Sequence, residues 1–254
     1  MQISVLGCSG GIGGDSRTTA LLLDQDMLID CGTGVGDLTL EDMLRIDHVF
    51  LTHGHLDHVA LLPMLADAGV GRRTTPLLAY ALPETIAALK ECLFNGRLWP
   101  DYTVLPTPDH PYLRLLPIQI GQPVVLGARR ITPLPVRHAV PAVAYRLDSG
   151  AASLVFSGDT TFNAAFWDAL NDIENLRHLI METTFLNDNA DGCQHSGHTN
   201  AHLLAQGLAR LTRPVRLYIT HMEPGREEQT WSEVLAAAGG FSPERLRRGQ
   251  VIAF

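Results

Sequence analysis

The run Thr52-His53-Gly54-His55-Leu56-Asp57-His58, set straight after the apolar stretch Val49-Phe50-Leu51, limits the folds open to this chain more than any other segment. Its H-x-H-x-D-H spacing is too irregular for one helix face, so the run reads as the loop that leaves a strand. Imidazole nitrogen and carboxylate oxygen are donors for zinc and similar divalent ions. From a strand end the four side chains can be aimed at two adjacent ions. An ordinary surface turn accounts for one histidine, but three histidines with an aspartate among them leave costly unpaired polar groups wherever they are buried.

A chain of 254 residues, with 46% hydrophobic and 18% charged, can close one sizeable core, and we expect a single domain over residues 1–254. The start Met-Gln-Ile-Ser-Val-Leu-Gly lacks a basic segment followed by a long apolar one, and no apolar run reaches the roughly 18 residues of a membrane span, so a cytoplasmic location is expected. Cys8, Cys31, Cys92 and Cys193 form no C-x-x-C and read as buried, inert thiols. The formal charge of -8 argues against a general affinity for nucleic acid, while leaving room for a small anion beside bound cations.

Ile3 to Leu6, Ala20 to Leu23, Met27 to Ile29 and His48 to Leu51 are short apolar runs between turn signals and read as strands. Asp57 to Ala68 has helical spacing with Pro63 in its first turns or at a kink, Leu77 to Ala81 reads as a strand, and Pro83-Glu84 opens a helix to about Phe94. The proline-rich Leu98 to His138 should give loops and edge strands near 112–120, 123–126 and 130–136. Val143 to Leu147, Leu154 to Phe156, Leu179 to Glu182 and Arg216 to Thr220 make a second set of strands, with helices at Asn163 to Leu170, Thr199 to Leu211 and Glu227 to Ala238. The total is an α/β chain with two mixed β-sheets and helices outside them.

A two-ion site needs more donors than one loop supplies. Pro135-Val136-Arg137-His138, Val155-Phe156-Ser157-Gly158-Asp159-Thr160 and Tyr218-Ile219-Thr220-His221 each place a His or Asp beyond an apolar run, as His53 is placed beyond Leu51. With these residues the chain resembles the metallo-β-lactamase fold superfamily over nearly its whole length. The resemblance implies a four-layer αβ/βα sandwich with two divalent metal ions at one edge, most often Zn2+, with Mn2+ or Fe2+ as alternatives. It assigns His53, His55 and His138 to one ion, Asp57, His58 and His221 to the other, and Asp159 as the bridge.

An aspartate in the Ser157-Gly158-Asp159-Thr160 setting, with no cysteine there, is similar to the phosphodiesterase branches rather than to the β-lactamases themselves. Arg137 to Arg146 and Met181-Glu182-Thr183-Thr184-Phe185 are similar to both RNase Z-type tRNA 3′-processing endonucleases and class II cyclic-nucleotide phosphodiesterases. Leu6 to Gly11, the H-x-H-L-D-H-V run and Tyr218 to Pro224 resemble the latter more, although Leu61 stands where that class carries a small Gly or Ser. The implied activity is hydrolysis of a 3′,5′-cyclic nucleotide such as cAMP or cGMP, or a related small phosphodiester, by a metal-bridging hydroxide. An RNase Z-like nuclease and a metal-bound ligand sensor without turnover are the alternatives, and no basic arm that would grip tRNA is visible. A homodimer is implied by the resemblance alone.

Asp57 is expected to orient the nucleophile. His198, in Ser196-Gly197-His198-Thr199, is expected to serve the leaving oxygen while unligated, with His195 as its competitor. The glycine-rich Gly7 to Gly14 fails the G-x-G-x-x-G register and reads as a tight connection lining the pocket. Asp30 is placed to orient a ligand histidine. Arg72, Arg73 and Arg137 are candidates to meet a phosphate, and Trp99 and Tyr102 could stack a base or simply pack a long loop.

Overall fold

The computed structural model describes residues 1–189 and 191–254 with their side chains. The apolar runs form β1 (Gln2–Gly7), β2 (Ala20–Leu23), β3 (Met27–Ile29), β4 (His48–Phe50) and β5 (Leu77–Ala81). A small hairpin, β6 (Pro106–Thr107) and β7 (His110–Pro111), precedes β8 (Leu113–Pro117), β9 (Val124–Leu126), β10 (Arg129–Pro135), β11 (Val143–Asp148) and β12 (Ser153–Phe156). β13 (Leu176–Glu182), β14 (Arg216–Thr220), β15 (Glu244–Arg245) and β16 (Val251–Ala253) complete the strands. They make two seven-stranded sheets, ordered β16-β1-β2-β3-β4-β5-β8 and β15-β14-β13-β12-β11-β10-β9. Both are mixed: β3, β4, β5 and β8 run parallel in the first sheet, and β12 to β15 in the second.

The helices are α1 (Leu40–Arg45), α2 (Leu56–Val59), α3 (Leu62–Ala68), α4 (Pro83–Cys92), α5 (Ala164–Asn171), α6 (Ala190–Ser196), α7 (Ala201–Leu208) and α8 (Glu227–Ala238). Apolar side chains separate into three layers. Ile3, Leu21, Phe50, Tyr145, Phe156 and Tyr218 lie among those that pack between the sheets. Val49, Leu62, Leu65 and Leu89 seal the first sheet against α3 and α4, and Val155, Phe166, Leu204 and Val234 seal the second against α5, α7 and α8. The arrangement is the four-layer αβ/βα sandwich expected from the sequence.

Local chemistry explains where elements break. The single helical stretch expected from Asp57 to Ala68 is two helices, because Pro63 lacks an N–H and its ring would strike the carbonyl of residue 59 in a continuous helix. Pro63 stands instead in the first turn of α3. Pro133 and Pro135 are tolerated in β10 since its pairing with β9 ends at Ile131, beyond which β10 is itself the sheet edge. Thr39 caps α1, a helix not expected from the sequence, by accepting the Asp42 N–H at 3.1 Å. The cysteines need correction: Cys31 and Cys193 are buried, but Cys8 is half-buried and Cys92 is exposed, because it ends α4 on its solvent side. Among the described residues no helix is long and apolar enough to cross a membrane.

The sheets are laced together where the histidine run departs. Tyr145 of the second sheet donates its hydroxyl to the Leu51 carbonyl at 2.8 Å, and the Val143 N–H reaches the Thr52 carbonyl at 3.0 Å. Phe50 stacks on Tyr80 with centroids 4.4 Å apart and meets Tyr145 edge-on at 5.7 Å. Behind the second sheet, α7 lies so close to Trp167 that a Cβ on Gly207 would fall 2.0 Å from the indole Cε2. We expect Gly207→Ala to destabilise the fold by about 1–3 kcal/mol through overpacking, despite alanine's better helix propensity, measured by urea unfolding followed by tryptophan fluorescence.

Candidate metal centre

Five loops meet at one edge of the sandwich. β10, β12, β13 and β14 point the same way, since β11 is antiparallel to both β10 and β12 while β13 and β14 are parallel to β12. Their ends deliver His138, Asp159, Glu182 and His221, and the lacing at Leu51 and Thr52 brings the end of β4 to the same place.

Two groups of four donors result, and they share one residue. His53, His55, His138 and Asp159 form the first, and Asp57, His58, Asp159 and His221 the second, with all donor atoms of each group within 4.8 Å of one another. In the first, His138 Nε2 lies 3.0 Å from His55 Nδ1, and His53 Nε2 lies 3.7 Å from Asp159 Oδ2. In the second, His58 Nε2 and His221 Nε2 are 3.3 Å apart, and each faces Asp57 Oδ2, at 3.5 and 3.2 Å. Asp159 sends Oδ2 to His58 at 3.2 Å and Oδ1 to His221 at 3.5 Å.

Two buried acids set the proton positions of the histidines. Asp30 Oδ2 accepts from His58 Nδ1 at 2.7 Å and from the Thr52 hydroxyl at 2.8 Å, and that hydroxyl accepts in turn from His53 Nδ1 at 3.0 Å. Glu182 repeats the device on the other side. Its Oε1 accepts from His198 Nδ1 at 2.9 Å, its Oε2 takes the Thr184 hydroxyl at 2.9 Å, and that hydroxyl accepts from His221 Nδ1 at 3.0 Å. His138 Nδ1 donates to the Gly197 carbonyl at 3.0 Å. With hydrogens on these Nδ1 atoms, assigned from the network, the Nε2 atoms of His53, His58, His138 and His221 are turned toward Asp159 or His55.

The donor set fits divalent metal ions. His53 Nε2 and Asp159 Oδ1 are buried and have no hydrogen-bond partner among the described residues, a costly arrangement unless something else is bound there. Burial outweighs the nearby carboxylates and holds His53, His55 and His138 below the usual histidine range, in the neutral form that ligates. Burial also opposes a charge on His58, yet Asp159 and Asp30 lift it well above that range. For Asp159 burial acts upward, and His221, His58 and His53 hold it well below the carboxylate range. A bound cation would meet the same demand for positive charge that His58 meets with a proton.

The glycine-rich connection after β1 lines this edge. A Cβ on Gly10 would fall 2.8 Å from the His221 carbonyl and 3.0 Å from its Nδ1, while the His221 N–H donates to the Cys8 carbonyl at 2.9 Å. His221 itself has φ 63, a conformation rare for a non-glycine residue. His198 lies beside both groups, its ring centroid 4.9 Å from that of His138 and 5.4 Å from that of His221. Burial works against its charge, but Glu182 and Asp159 push its pKa up to about 9. His195 is exposed on α6 and bonded to the Asp191 carbonyl, so it takes no part.

Other candidates are placed elsewhere. Arg72 and Arg73 hold backbone carbonyls near the ends of α3 and α1, and Trp99 and Tyr102 pack against the outer layer of the first sheet. Leu61 also faces that layer, packing beside Gly36. Glu182, Thr52 and Thr184 were given no role from sequence, although a glutamate closing the apolar run Leu179 to Met181 is a legible anomaly.

A profile of the beta-lactamase superfamily domain matches residues 25–222. The chain belongs to this superfamily. Among its relatives in the superfamily, the probable metallo-hydrolase YhfI of Bacillus subtilis is 27% identical over 238 residues, 87% of either chain, and its crystal structure superposes with a TM-score of 0.76 over 99% of this chain and 98% of that one. A Ribonuclease Z of Picosynechococcus is 24% identical over 317 residues, 100% of this chain and 96% of the other. The fold of unliganded yeast PDE1 matches with a TM-score of 0.81 at 15% identity, covering 100% and 99% of the two chains.

The role of Asp30 can be tested within this superfamily fold. In Asp30→Asn the new amide keeps an acceptor for the Thr52 N–H, which Asp30 Oδ1 now accepts at 2.7 Å, but turns an NH2 toward His58 Nδ1. That forces the His58 proton to Nε2, the atom whose lone pair would be needed to hold a metal ion. We expect a loss of roughly 10–100-fold in metal affinity by chelator competition, with an unchanged circular dichroism spectrum.

Proposed function

We propose that this metal-dependent hydrolase is a dinuclear phosphodiesterase acting on a small cyclic nucleotide or related phosphodiester. The single observation that supports it most is Asp159, a buried carboxylate shared by two donor groups, with His198 held as a cation beside it. His53, His55 and His138 would hold one divalent ion, Asp57, His58 and His221 the second, and Asp159 both, with zinc the first choice and manganese or iron of similar fit. When bound, such ions supply Lewis acidity and ionise a water at neutral pH.

The side chains divide the remaining work. Asp57, whose side chain is 30% exposed, reaches the solvent face and can accept a hydrogen bond from the attacking water, fixing its line of approach. His198 donates Nδ1–H to Glu182, which leaves Nε2–H as the proton for the departing alkoxide, and Glu182 stabilises the imidazolium until that transfer. Asp159 accepts no proton in this scheme, because the imidazoles around it keep it ionised.

Similarity to a Ribonuclease Z supports a second reading, in which the phosphodiester belongs to a precursor tRNA. The charge of -8 and the sparse cations between Leu98 and His138 favour the small substrate.

The test is a panel of cAMP, cGMP, 2′,3′-cyclic nucleotides, bis(p-nitrophenyl) phosphate and precursor tRNA, offered to zinc-, manganese- and iron-loaded protein. We expect turnover of small diesters, abolished by chelation and restored by metal. His198→Gln should lower kcat by roughly 10²–10⁴-fold with metal content retained. Cleavage of precursor tRNA alone favours the second reading, and no turnover of any substrate sinks both.

A further inference from the structure

A groove of about 550 Å³ opens beside the first donor group and has no part in the chemistry above. One of the donors stands in its wall: His138, whose Nε2 faces His55 Nδ1 at 3.0 Å. The start of α4 contributes Leu82 and Glu84, and α4 is held against the histidine run. A Cβ on Gly54, between His53 and His55, would be 3.7 Å from Thr85 Cγ2 and 4.0 Å from Ala88 Cβ. The connection from β8 to β9 adds Ile120. The volume is in the range of a small-molecule subsite.

The wall is mostly apolar, with one charge of each sign. Leu82, Val136 and Val140 are half-buried, and Ile120 is 46% exposed, so the groove presents aliphatic surface that a ligand would take out of water. Arg137 and Glu84 are both exposed, and neither side chain has an ion-pair partner among the described residues. The Arg137 backbone is pinned beside Asp159: its N–H donates to the Thr160 hydroxyl at 3.2 Å, and its carbonyl accepts the Thr161 N–H at 2.8 Å. The guanidinium therefore starts from a fixed point next to His138, where a phosphate oxygen would be its natural partner. Glu84, the acid of this wall, has no such partner in a phosphate ester and repels any further anion.

We propose that this groove receives the organic group of an ester whose phosphate lies at the metal centre. Its aliphatic wall covers that group, Arg137 pairs with a phosphate oxygen, and Glu84 turns away a group that carries a second negative charge. The substrate class that fits is a diester with an uncharged organic group, and not a stretch of polynucleotide, in which each further residue brings another phosphate. The assignment rests on the phosphodiesterase reading for the placement of the phosphate.

The metal-loaded protein is titrated calorimetrically with methyl phosphate, phenyl phosphate and 4-carboxyphenyl phosphate, and turnover of bis(p-nitrophenyl) phosphate is measured separately on the same sample. Phenyl phosphate is expected to bind roughly tenfold more tightly than methyl phosphate, through apolar burial. It should also bind roughly threefold more tightly than its carboxylated analogue at low ionic strength. Ile120→Asn, at an exposed position, should lower the phenyl to methyl ratio by roughly threefold or more. Glu84→Gln should close the gap between phenyl phosphate and the carboxylated analogue, and Arg137→Gln should weaken methyl and phenyl phosphate by a similar factor, roughly tenfold. Equal affinity for methyl and phenyl phosphate, or a carboxylated analogue bound as tightly as phenyl phosphate, overturns the proposal. So does either ratio left unmoved by its variant, or no binding of any of the three. The expected ratios without diester turnover keep the groove assignment and defeat the phosphodiesterase reading.

Discussion

Asp30, Asp159 and Glu182 are almost completely withdrawn from water along one edge of the sandwich, and among the described residues no lysine or arginine is paired with any of them. An isolated buried carboxylate costs several kcal/mol, so each demands a partner able to carry positive charge or donate hydrogen bonds. The histidines supply both. Asp30 and Glu182 take the Nδ1 protons, directly or through a threonine, and the Nε2 side of His53, His58 and His221 is left to face Asp159. The donor geometry follows from how these three charges are neutralised.

The scaffold makes this possible by separating packing from chemistry. The apolar layer between the sheets holds Leu51 and Thr52 against β11 through Tyr145 and Val143, so the histidine run starts from a fixed backbone. The loops themselves carry little apolar mass and are free to be shaped by donors. Where they approach closely, as Gly10 does to His221, side-chain volume is what has been given up.

The ligand candidates were legible because His and Asp immediately beyond apolar runs are unusual enough to stand out one at a time. The layer architecture followed from the alternation of short apolar runs and helical spacing. Thr52, Thr184 and Glu182 were not legible as functional residues, since threonine and glutamate are common and their roles depend on partners brought close only by the fold. Asp30 lies 22 residues from Thr52 and 28 from His58. Pro63, by contrast, acts through its own ring and N–H, and the sequence placed it in the first turns or at a kink; only the full break between α2 and α3 needed the structure.

The seat of His221 has a consequence for the order in which the centre is made. Its N–H and the Thr220 hydroxyl both bond to the Cys8 carbonyl, and Gly10 closes over it, so the last donor in the chain rests on a loop laid down among the first residues. During synthesis the donors of the first group have all emerged once Asp159 is made, whereas the second group waits for residue 221 to return to residues 8–10. Completion of the second group is thus a record that stretches of chain 212 residues apart have found each other.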